Sequence, residues 1–270
     1  MTDTADRSRR GRDVLSTLGG SPEAGAAMAG FLEGQGALGQ FALRTGAGEV
    51  WSRPGLSRRD RSLVVITFLN ALRQDLELRA HIAGGLNHGL TREEVDEIFV
   101  QMGAYAGLPC GLTGARIAGE VFAGQDGETS RAAPAASAEE KSDTARRVDG
   151  LAALTGLLGL PPGTDMKAAE QATLDQLGDM GALVLDFAFG EVWSRPQLSR
   201  RDRSLVVVAT LAALSLSHEL EIHLRGALAH GVTPAEIEEV MITLVIYGGF
   251  PRAIDGLQLA RKVLQEGDSR

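Results

Sequence analysis

The sequence of 270 residues contains a single cysteine, Cys110. One cysteine excludes an intramolecular disulfide framework and a CxxC redox pair. No apolar run is both long enough and sufficiently free of charge to span a bilayer. The segment MTDTADRSRRGRD at the start lacks the apolar core of a signal peptide. From these absences we expect a cytoplasmic location.

The chain also lacks an excess of positive charge, since its formal net charge is −8 and its sequence pI is about 5.2. An acidic balance argues against nucleic acid or an anionic membrane as the main partner. The basic groups that cluster fall at predicted helix starts, which favours a local role: Arg58, Arg59, Arg61, Arg200, Arg201 and Arg203. With 44% hydrophobic residues the chain can form real cores.

What the sequence does contain is a long internal repeat. The segment GEVWSRPGLSRRDRSLVVI at 48–66 recurs at 190–208, and the copies differ only at Gly55/Gln197 and Ile66/Val208. The offset of 142 then continues, so that His81 matches His223. The repeat indicates two homologous units in tandem. We predict a first unit at 11–123, a linker at 124–144 and a second unit at 145–266, with disorder at 1–10.

Each unit is predicted to be helical. Ser57 followed by Asp60 has the pattern of a capping box, and the apolar run from Leu63 to Leu72 is typical of a buried helix. A second helix is expected from Asp75 to His88, ended by Gly89. The next helices are expected to open at Thr91 and Thr233, and the last to cover 110–122 and 252–265. No period-two segment is present, so the predicted fold class is all-α.

A glutamate and a histidine four residues apart form the first candidate for chemistry. Glu77 and His81, repeated as Glu219 and His223, share a helix face. A carboxylate beside an imidazole raises its pKa and fixes its tautomer, as a general acid near neutral pH requires. A plain surface ion pair explains the same spacing. His88 lies too far along the helix to bind one metal ion together with His81, and we interpret it as interacting with the helix dipole.

The repeated segment supplies the second candidate. Glu49, Trp51 and Arg53 lie within five residues, and their counterparts are Glu191, Trp193 and Arg195. These side chains could line an anionic ligand site, or they could form a packed corner in which Arg53 pairs with Glu49. No metal-ligand spacing, P-loop or GxGxxG is present.

Several motifs together resemble the carboxymuconolactone decarboxylase family. They are EVWSRPGL, RDRSL, ELxxH, HGxT and YAGLP in the first unit, and EVWSRPQL, ELEIH, HGVTPAEIEEV and YGGFP in the second. The resemblance implies the all-α fold shared with AhpD-like proteins. The family's founding activity is cofactor-free loss of carbon dioxide from 4-carboxymuconolactone. The related peroxidases use a CxxC, but Gln74 and Glu77 stand at those positions, which argues against thiol chemistry.

The resemblance also implies roles for particular residues, with no metal and no organic cofactor. The catalytic set would be His81, Glu77, His223 and Glu219, with histidine as general acid and glutamate assisting it. The substrate-binding set would be Glu49, Trp51, Arg53, Tyr105, Glu191, Trp193, Arg195 and Tyr247, placed at a cleft between the units. The partner would be a small anionic lactone or keto acid.

Two departures from the family pattern keep other functions open. The chain has Asn87-His88-Gly89 and Ala229-His230-Gly231 where family members usually have Asn-Asn-Gly. The alternatives are a cyclase, isomerase or hydrolase acting on a polyketide-like substrate in secondary metabolism, and a non-catalytic binding paralogue. Because single-unit relatives usually form hexamers, we expect a homotrimer of the fused chain, with a homodimer as the fallback.

Overall fold

The computed structural model describes residues 3–126, 137–161 and 163–268. These residues form helices joined by short turns, and none of them lies in a β-strand, which confirms the predicted all-α class. The first unit contains α1 (Thr4–Gly19), α2 (Pro22–Glu33), α3 (Gly36–Phe41), a wider π-type helix π1 (Ala42–Trp51), α4 (Arg58–Ala71), α5 (Asp75–Asn87), α6 (Arg92–Tyr105) and α7 (Leu108–Asp126). The second contains α8 (Asp143–Leu157), α9 (Met166–Leu177), α10 (Asp179–Leu183), π2 (Val184–Trp193), α11 (Arg200–Leu214), α12 (Ser217–Ala229), α13 (Pro234–Gly248) and α14 (Phe250–Asp268).

The helices that were predicted from capping residues begin at those residues. The Ser57 hydroxyl accepts a hydrogen bond from the Asp60 amide, which opens α4. The Asp60 carboxylate does not complete the box, because it accepts from Arg201 of the second unit instead. Both halves of the capping box are present at Thr91 and at Thr233. These side chains satisfy amide groups that the first turn of a helix leaves unpaired.

The predicted disorder at the N-terminus is wrong for the described residues from Thr4 onward, since they belong to α1. Asp6 and Arg10 form an ion pair at i,i+4, and Arg10 also donates to the Gly48 carbonyl of π1. Charged side chains with specific partners on a neighbouring helix order a segment whose composition alone resembles a disordered tail. Of the predicted linker 124–144, residues 124–126 extend α7, α8 begins at Asp143, and residues 127–136 lie outside the described part of the chain.

Glycines allow α1 to lie directly on π1. A Cβ atom at Gly11 would be 2.3 Å from the Leu43 carbonyl oxygen, and one at Gly48 would be 2.1 Å from the Arg7 carbonyl oxygen. Gly150 and Gly190 have the same role in the contact of α8 with π2. Because the backbones touch, the C-terminal end of each π helix, which carries the tryptophan, has a fixed position.

The centre of the molecule is a pair of helices, α4 and α11, that pack against each other across the two units. Every residue from Asp60 to Ala71 is buried, and so is every residue from Asp202 to Ala213. Helices that are buried on all sides are typical of a protein interior. Buried side chains of the two units belong to one continuous cluster, so the tandem units share a hydrophobic core.

Candidate active site

A tryptophan of each unit reaches a tyrosine of the other unit. Trp51, at the end of π1, donates from Nε1 to the hydroxyl of Tyr247 on α13 at 2.7 Å. Trp193, at the end of π2, donates to the hydroxyl of Tyr105 on α6, also at 2.7 Å. The structure therefore has two equivalent clusters, and each is assembled from both units.

Two histidines of α5 flank the Trp51 ring. The His81 ring is stacked on it with the ring centroids 5.6 Å apart, and the His88 ring is 5.8 Å away. Seven residues of helix separate the two histidines by about 10 Å along the axis. This separation is too large for both rings to bind one metal ion. It leaves room for the indole, which both rings contact.

The hydrogen bonds around His81 run in one direction. The Tyr247 hydroxyl accepts from the Trp51 indole, so its own proton is available to His81 Nε2, 3.3 Å away. Neutral histidine that accepts at Nε2 carries its proton on Nδ1. Among the described residues, Nδ1 of His81 is buried and has no hydrogen-bond partner. This N–H is directed at whatever group occupies the site.

His88 is fixed by two hydroxyl groups. Its Nδ1 lies 2.8 Å from the Ser62 hydroxyl on α4, and its Nε2 lies 3.0 Å from the Thr17 hydroxyl on α1. The ring that was predicted to interact with the helix dipole lies at the C-cap of α5 and bonds to hydroxyl groups of neighbouring helices. His88 is part of the aromatic cluster and holds one side of the Trp51 ring.

The second cluster has the same rings and one addition, but among the described residues His223 forms no hydrogen bond with Tyr105 and His230 Nε2 has no hydroxyl partner. The His223 ring is 6.1 Å from the Trp193 ring and 5.0 Å from the Tyr105 ring, and its Nδ1 is also buried without a partner among the described residues. His230 bonds through Nδ1 to Ser204 at 2.8 Å. Phe189 stacks on the other side of Trp193 at 5.8 Å, where the first unit has Ala47. The second site is consequently narrower on that side.

The predicted pairing of glutamate with histidine is absent. Glu77 and Glu219 are exposed in the first turns of α5 and α12, and neither contacts the imidazole one turn later. The spacing placed both side chains on neighbouring positions of the helix, but the tertiary contacts turn His81 and His223 inward. The predicted rise in the histidine pKa is also wrong, because no carboxylate lies beside either ring.

All four histidines of the two clusters have lowered pKa values. Burial lowers the pKa of His81 to about 4, and the charge of His88 adds to the effect. Burial and the neighbouring Arg58 lower the pKa of His88 to about 4. Burial, with a contribution from His230, lowers the pKa of His223 to about 3. Burial also raises the pKa of both tyrosines, so the clusters are uncharged at neutral pH.

We expect the stability of the protein to fall as the pH falls from about 6.5 to about 4. In that range the unfolded chain binds protons at its histidines, while His81, His88 and His223 stay largely neutral in the folded protein and the lowered pKa of His230 acts in the same direction. Asp96, whose pKa is raised to about 6 by burial and Glu97, acts in the opposite direction but is one group against four. Urea unfolding at several pH values measures the trend.

The imidazole proton signals in an NMR titration test the same prediction residue by residue. The signals of His81 and His88 should have midpoints near pH 4, and exposed His218 provides a reference signal. Midpoints near pH 6.5 for His81 and His223 would contradict it.

Arginines of the repeated segment pair with a buried glutamate of the opposite unit. Arg53 donates from Nε to Glu239 at 2.6 Å, and Arg61, whose side chain is 0% exposed, donates to the same carboxylate at 3.0 Å. Arg195 and Arg203 share Glu97 in the same way. Each carboxylate therefore pairs with two guanidinium groups of the opposite unit.

Of the two alternatives for the repeated segment, the corner in which Arg53 pairs with Glu49 is not formed. Glu49 pairs with Arg7 of α1 at 3.2 Å, and Glu191 pairs with Arg146 of α8 at 2.6 Å. Both glutamates lie on the side of π1 and π2 that contacts the first helix of their unit. They anchor the π helices, and the structure does not bring them together with the tryptophan and histidine rings.

The two units differ at the corner that follows the tryptophan. The Arg53 side chain is 45% exposed, whereas the Arg195 side chain is 11% exposed. Residues 137–141 cover Arg195, whose Nη1 donates to the Ser137 carbonyl, and Lys141 donates to the Ser194 hydroxyl. A cavity of about 240 Å³ lies beneath this cover, bordered by Arg195 and Gln197.

The described residues show no further cluster of ionisable ligands. No three His, Cys, Asp or Glu side chains within 3–126, 137–161 and 163–268 lie close enough to hold a metal ion. Cys110 is buried beside the Asn70 side chain. In the same part of the chain, no helix is long and apolar enough to cross a membrane.

Sequence reasoning missed the two buried glutamates, although a signal was available. Glu97 and Glu239 are separated by the same offset of 142 as the histidines. Each lies in a helix whose inward positions are otherwise apolar, such as Val95 and Ile98 next to Glu97. A carboxylate that recurs inside an apolar face needs a buried cation as its partner.

Comparison with known proteins gives a match to one family in both units. The family described as the carboxymuconolactone decarboxylase family matches residues 36–120 and 178–262. These two segments contain both tryptophans, all four clustered histidines, both tyrosines and both buried glutamates. They leave out α1 and α8.

Individual relatives match over about the length of one unit. The chain is 46% identical to 4-carboxymuconolactone decarboxylase of Acinetobacter baylyi over 82 residues, 30% of this chain and 61% of that protein. It is 34% identical to nitrosuccinic acid decarboxylase of Metarhizium robertsii over 84 residues, 31% of this chain and 59% of that protein. It is 30% identical to an uncharacterised 15.0 kDa protein of Paracoccus denitrificans over 106 residues, 38% of this chain and 76% of that protein. The chain thus spans less than two thirds of the length of the two named decarboxylases.

Proposed function

Because the chain belongs to the carboxymuconolactone decarboxylase family, we propose that it removes carbon dioxide from a small anionic lactone or keto acid, with no metal or organic cofactor. The observation that carries the proposal is the inward-facing imidazole of His81, repeated at His223. Each ring is fixed by a tryptophan and a tyrosine and has a buried nitrogen without a partner among the described residues. Such a group is placed to exchange a proton with a bound substrate.

Loss of carbon dioxide from such a substrate needs a proton at carbon. The bond to the carboxylate breaks, carbon dioxide leaves, and its bonding electrons move into the lactone or keto carbonyl as an enolate. The enolate carbon then takes a proton, and the imidazolium of His81 supplies it. Neutral imidazole remains and takes up a proton from solvent when the next substrate binds. Atoms and charge balance without an oxidant or reductant.

The lowered pKa of His81 is compatible with these steps when the imidazole takes up a proton from solvent as the substrate binds. The free site is neutral, because burial holds the His81 pKa at about 4. A bound anion next to Nδ1 favours the charged form of the imidazole, so the pKa of His81 rises on binding. The proposal therefore includes uptake of a proton when substrate binds, and Tyr247 keeps the ring in the correct orientation through both states.

Release of carbon dioxide from 4-carboxymuconolactone tests the proposal directly. The purified chain should release carbon dioxide from this compound faster than buffer alone, in the presence of a chelator. Disappearance of the compound without carbon dioxide would instead favour an isomerase or hydrolase. No turnover of this compound or of related keto acids would contradict the proposed activity.

We also propose that the chain forms a homotrimer. Large apolar side chains are exposed at equivalent places in the two units, on α3 and α10 and on α7 and α14: Leu38, Phe41, Met180, Leu183, Leu108, Leu112, Phe250 and Ile254. Equivalent apolar faces on both units suit a ring in which a face of one chain covers the matching face of the next. Light scattering should give about three times the chain mass of 28.5 kDa, and a particle of one chain would contradict the prediction.

A further inference from the structure

One arginine in each unit lies beside the aromatic cluster without a carboxylate partner. Arg58 is the first residue of α4, and its guanidinium donates to the backbone carbonyl of Trp51. Four residues later, Ser62 holds the His88 ring, so Arg58 and Ser62 share one face of the helix. The positive charge of Arg58 contributes to the lowered pKa of His88, which agrees with this position.

The second unit repeats the arrangement. Arg200 is the first residue of α11, and Ser204, four residues later, holds the His230 ring. The charge of Arg200 contributes to the lowered pKa of His230. Both units therefore place a guanidinium next to the histidine that supports the tryptophan.

Their neighbours in the repeated segment all have carboxylate partners. Arg53 and Arg61 bind Glu239, and Arg59 binds Glu94 and Asp202. Across the described residues, neither Arg58 nor Arg200 forms an ion pair. Burial lowers the pKa of both, and for Arg58 the nearby charge of Arg61 adds to this effect. A partly desolvated cation without a counter-ion is a site that an anion stabilises.

The chemistry of decarboxylation decides which anion this is. The carboxylate that leaves loses its charge as carbon dioxide forms, so a guanidinium bound to it would stabilise the substrate more than the transition state. The end formed by Trp51, His81 and Tyr247, where the proposed mechanism delivers the proton to carbon, takes that carboxylate. A cation at the other end suits an anionic group that keeps its charge throughout the reaction.

We propose that Arg58 and Arg200 each bind an anionic group of the substrate that the reaction does not remove, and so select substrates with a second carboxylate. This inference rests on the proposed function. It assigns anion binding to Arg58 and Arg200, whereas the motif alone suggested Arg53 and Arg195, which Glu239 and Glu97 already occupy. These residues position and select the substrate, while the histidine handles the proton.

Tryptophan fluorescence tests the assignment without measuring turnover. The only two tryptophans are Trp51 and Trp193, so Trp193→Phe leaves a reporter in the first site and Trp51→Phe leaves one in the second. The probes are adipate and hexanoate, which have six carbons each and differ in the second carboxylate. Arg58→Gln is the central variant, because glutamine keeps a donor for the Trp51 carbonyl and removes the charge.

In the Trp193→Phe background, Arg58→Gln should weaken adipate binding about tenfold or more and change hexanoate binding about twofold at most. Arg200→Gln should do the same in the Trp51→Phe background, which provides a second test if one variant fails to fold. Arg9→Gln, on the exposed part of α1, is the matched control and should bind adipate normally. Unchanged adipate binding in Arg58→Gln and Arg200→Gln would overturn the inference, as would no adipate binding by the unsubstituted sites.

The same data separate the inference from the function on which it rests. A protein that binds adipate through Arg58 but releases no carbon dioxide would contradict the proposed activity and leave the anion site standing. A protein that releases carbon dioxide but binds adipate equally well in Arg58→Gln would contradict the anion site. Loss of adipate binding in Arg53→Gln with normal binding in Arg58→Gln would assign the anion to Arg53 instead.

Discussion

Replacement of both His81 and His223 by alanine should reduce the rate of carbon dioxide release by about 10²–10⁴-fold, the usual contribution of a positioned acid–base group. In the proposed mechanism both imidazoles face the substrate, and each has a buried Nδ1 without a partner among the described residues. The measurement is kcat for 4-carboxymuconolactone. Adipate fluorescence titrations on the same variants, read from the remaining tryptophans, show whether binding is retained.

The single variants indicate how many sites work. If both clusters are active, His81→Ala and His223→Ala each keep the contribution of the other site. If one cluster is structural, one single variant behaves like the double variant and the other like the unsubstituted protein. His218→Ala is the control, because this histidine is exposed on α12 and outside both clusters. Full turnover in the double variant would refute the role of histidine.

Replacement of Glu239 by alanine should lower the free energy of unfolding by about 3–5 kcal/mol, because it leaves a buried cation without its counter-ion. Arg61 is fully buried, and its other partners are the Thr243 hydroxyl at 2.6 Å and the Arg53 carbonyl at 3.0 Å. Two neutral acceptors do not compensate the charge of a buried guanidinium as a carboxylate does. Denaturation by urea measures the loss.

Glu238→Ala is a closely matched control for this substitution. Glu238 is the preceding residue of α13, but it pairs with exposed Arg261 on the surface. Exposed ion pairs contribute about 0–1 kcal/mol, so this variant should be nearly as stable as the unsubstituted protein. Equal decreases in the free energy of unfolding for Glu238→Ala and Glu239→Ala would show that the buried ion pair of Arg61 and Glu239 does not stabilise the contact between the units.

Local rules were enough to predict the helices of each repeat. Ser57, Thr91 and Thr233 cap helices as their residue types indicate, and the apolar run of α4 is buried as expected. These features depend on neighbours in the sequence. Local rules failed at α1, where Arg7 and Arg10 find partners on π1 about forty residues later.

The site itself was predicted only in part, because its geometry depends on contacts across the repeat. Trp51 and Tyr247 are 196 residues apart in sequence, and no spacing rule relates them. The i,i+4 rule correctly placed Glu77 one turn before His81, but it carries no information on which of the two turns inward. The offset of 142 contained more information than the local spacing. The contacts between the units come in pairs that it relates, such as Trp51–Tyr247 with Trp193–Tyr105 and Arg61–Glu239 with Arg203–Glu97.

The reciprocal exchange of tyrosine and glutamate between the units has a consequence for how the two sites change in evolution. In a dimer of identical chains, one substitution alters both sites at once. In the fused chain the two copies are separate stretches of one gene product, so each site can change independently. Arg61 already meets Thr243 where Arg203 meets Gln101. Gly55 likewise leaves room for Glu239, whereas its counterpart is Gln197. The two sites of the fused chain can therefore be adapted to different substrates.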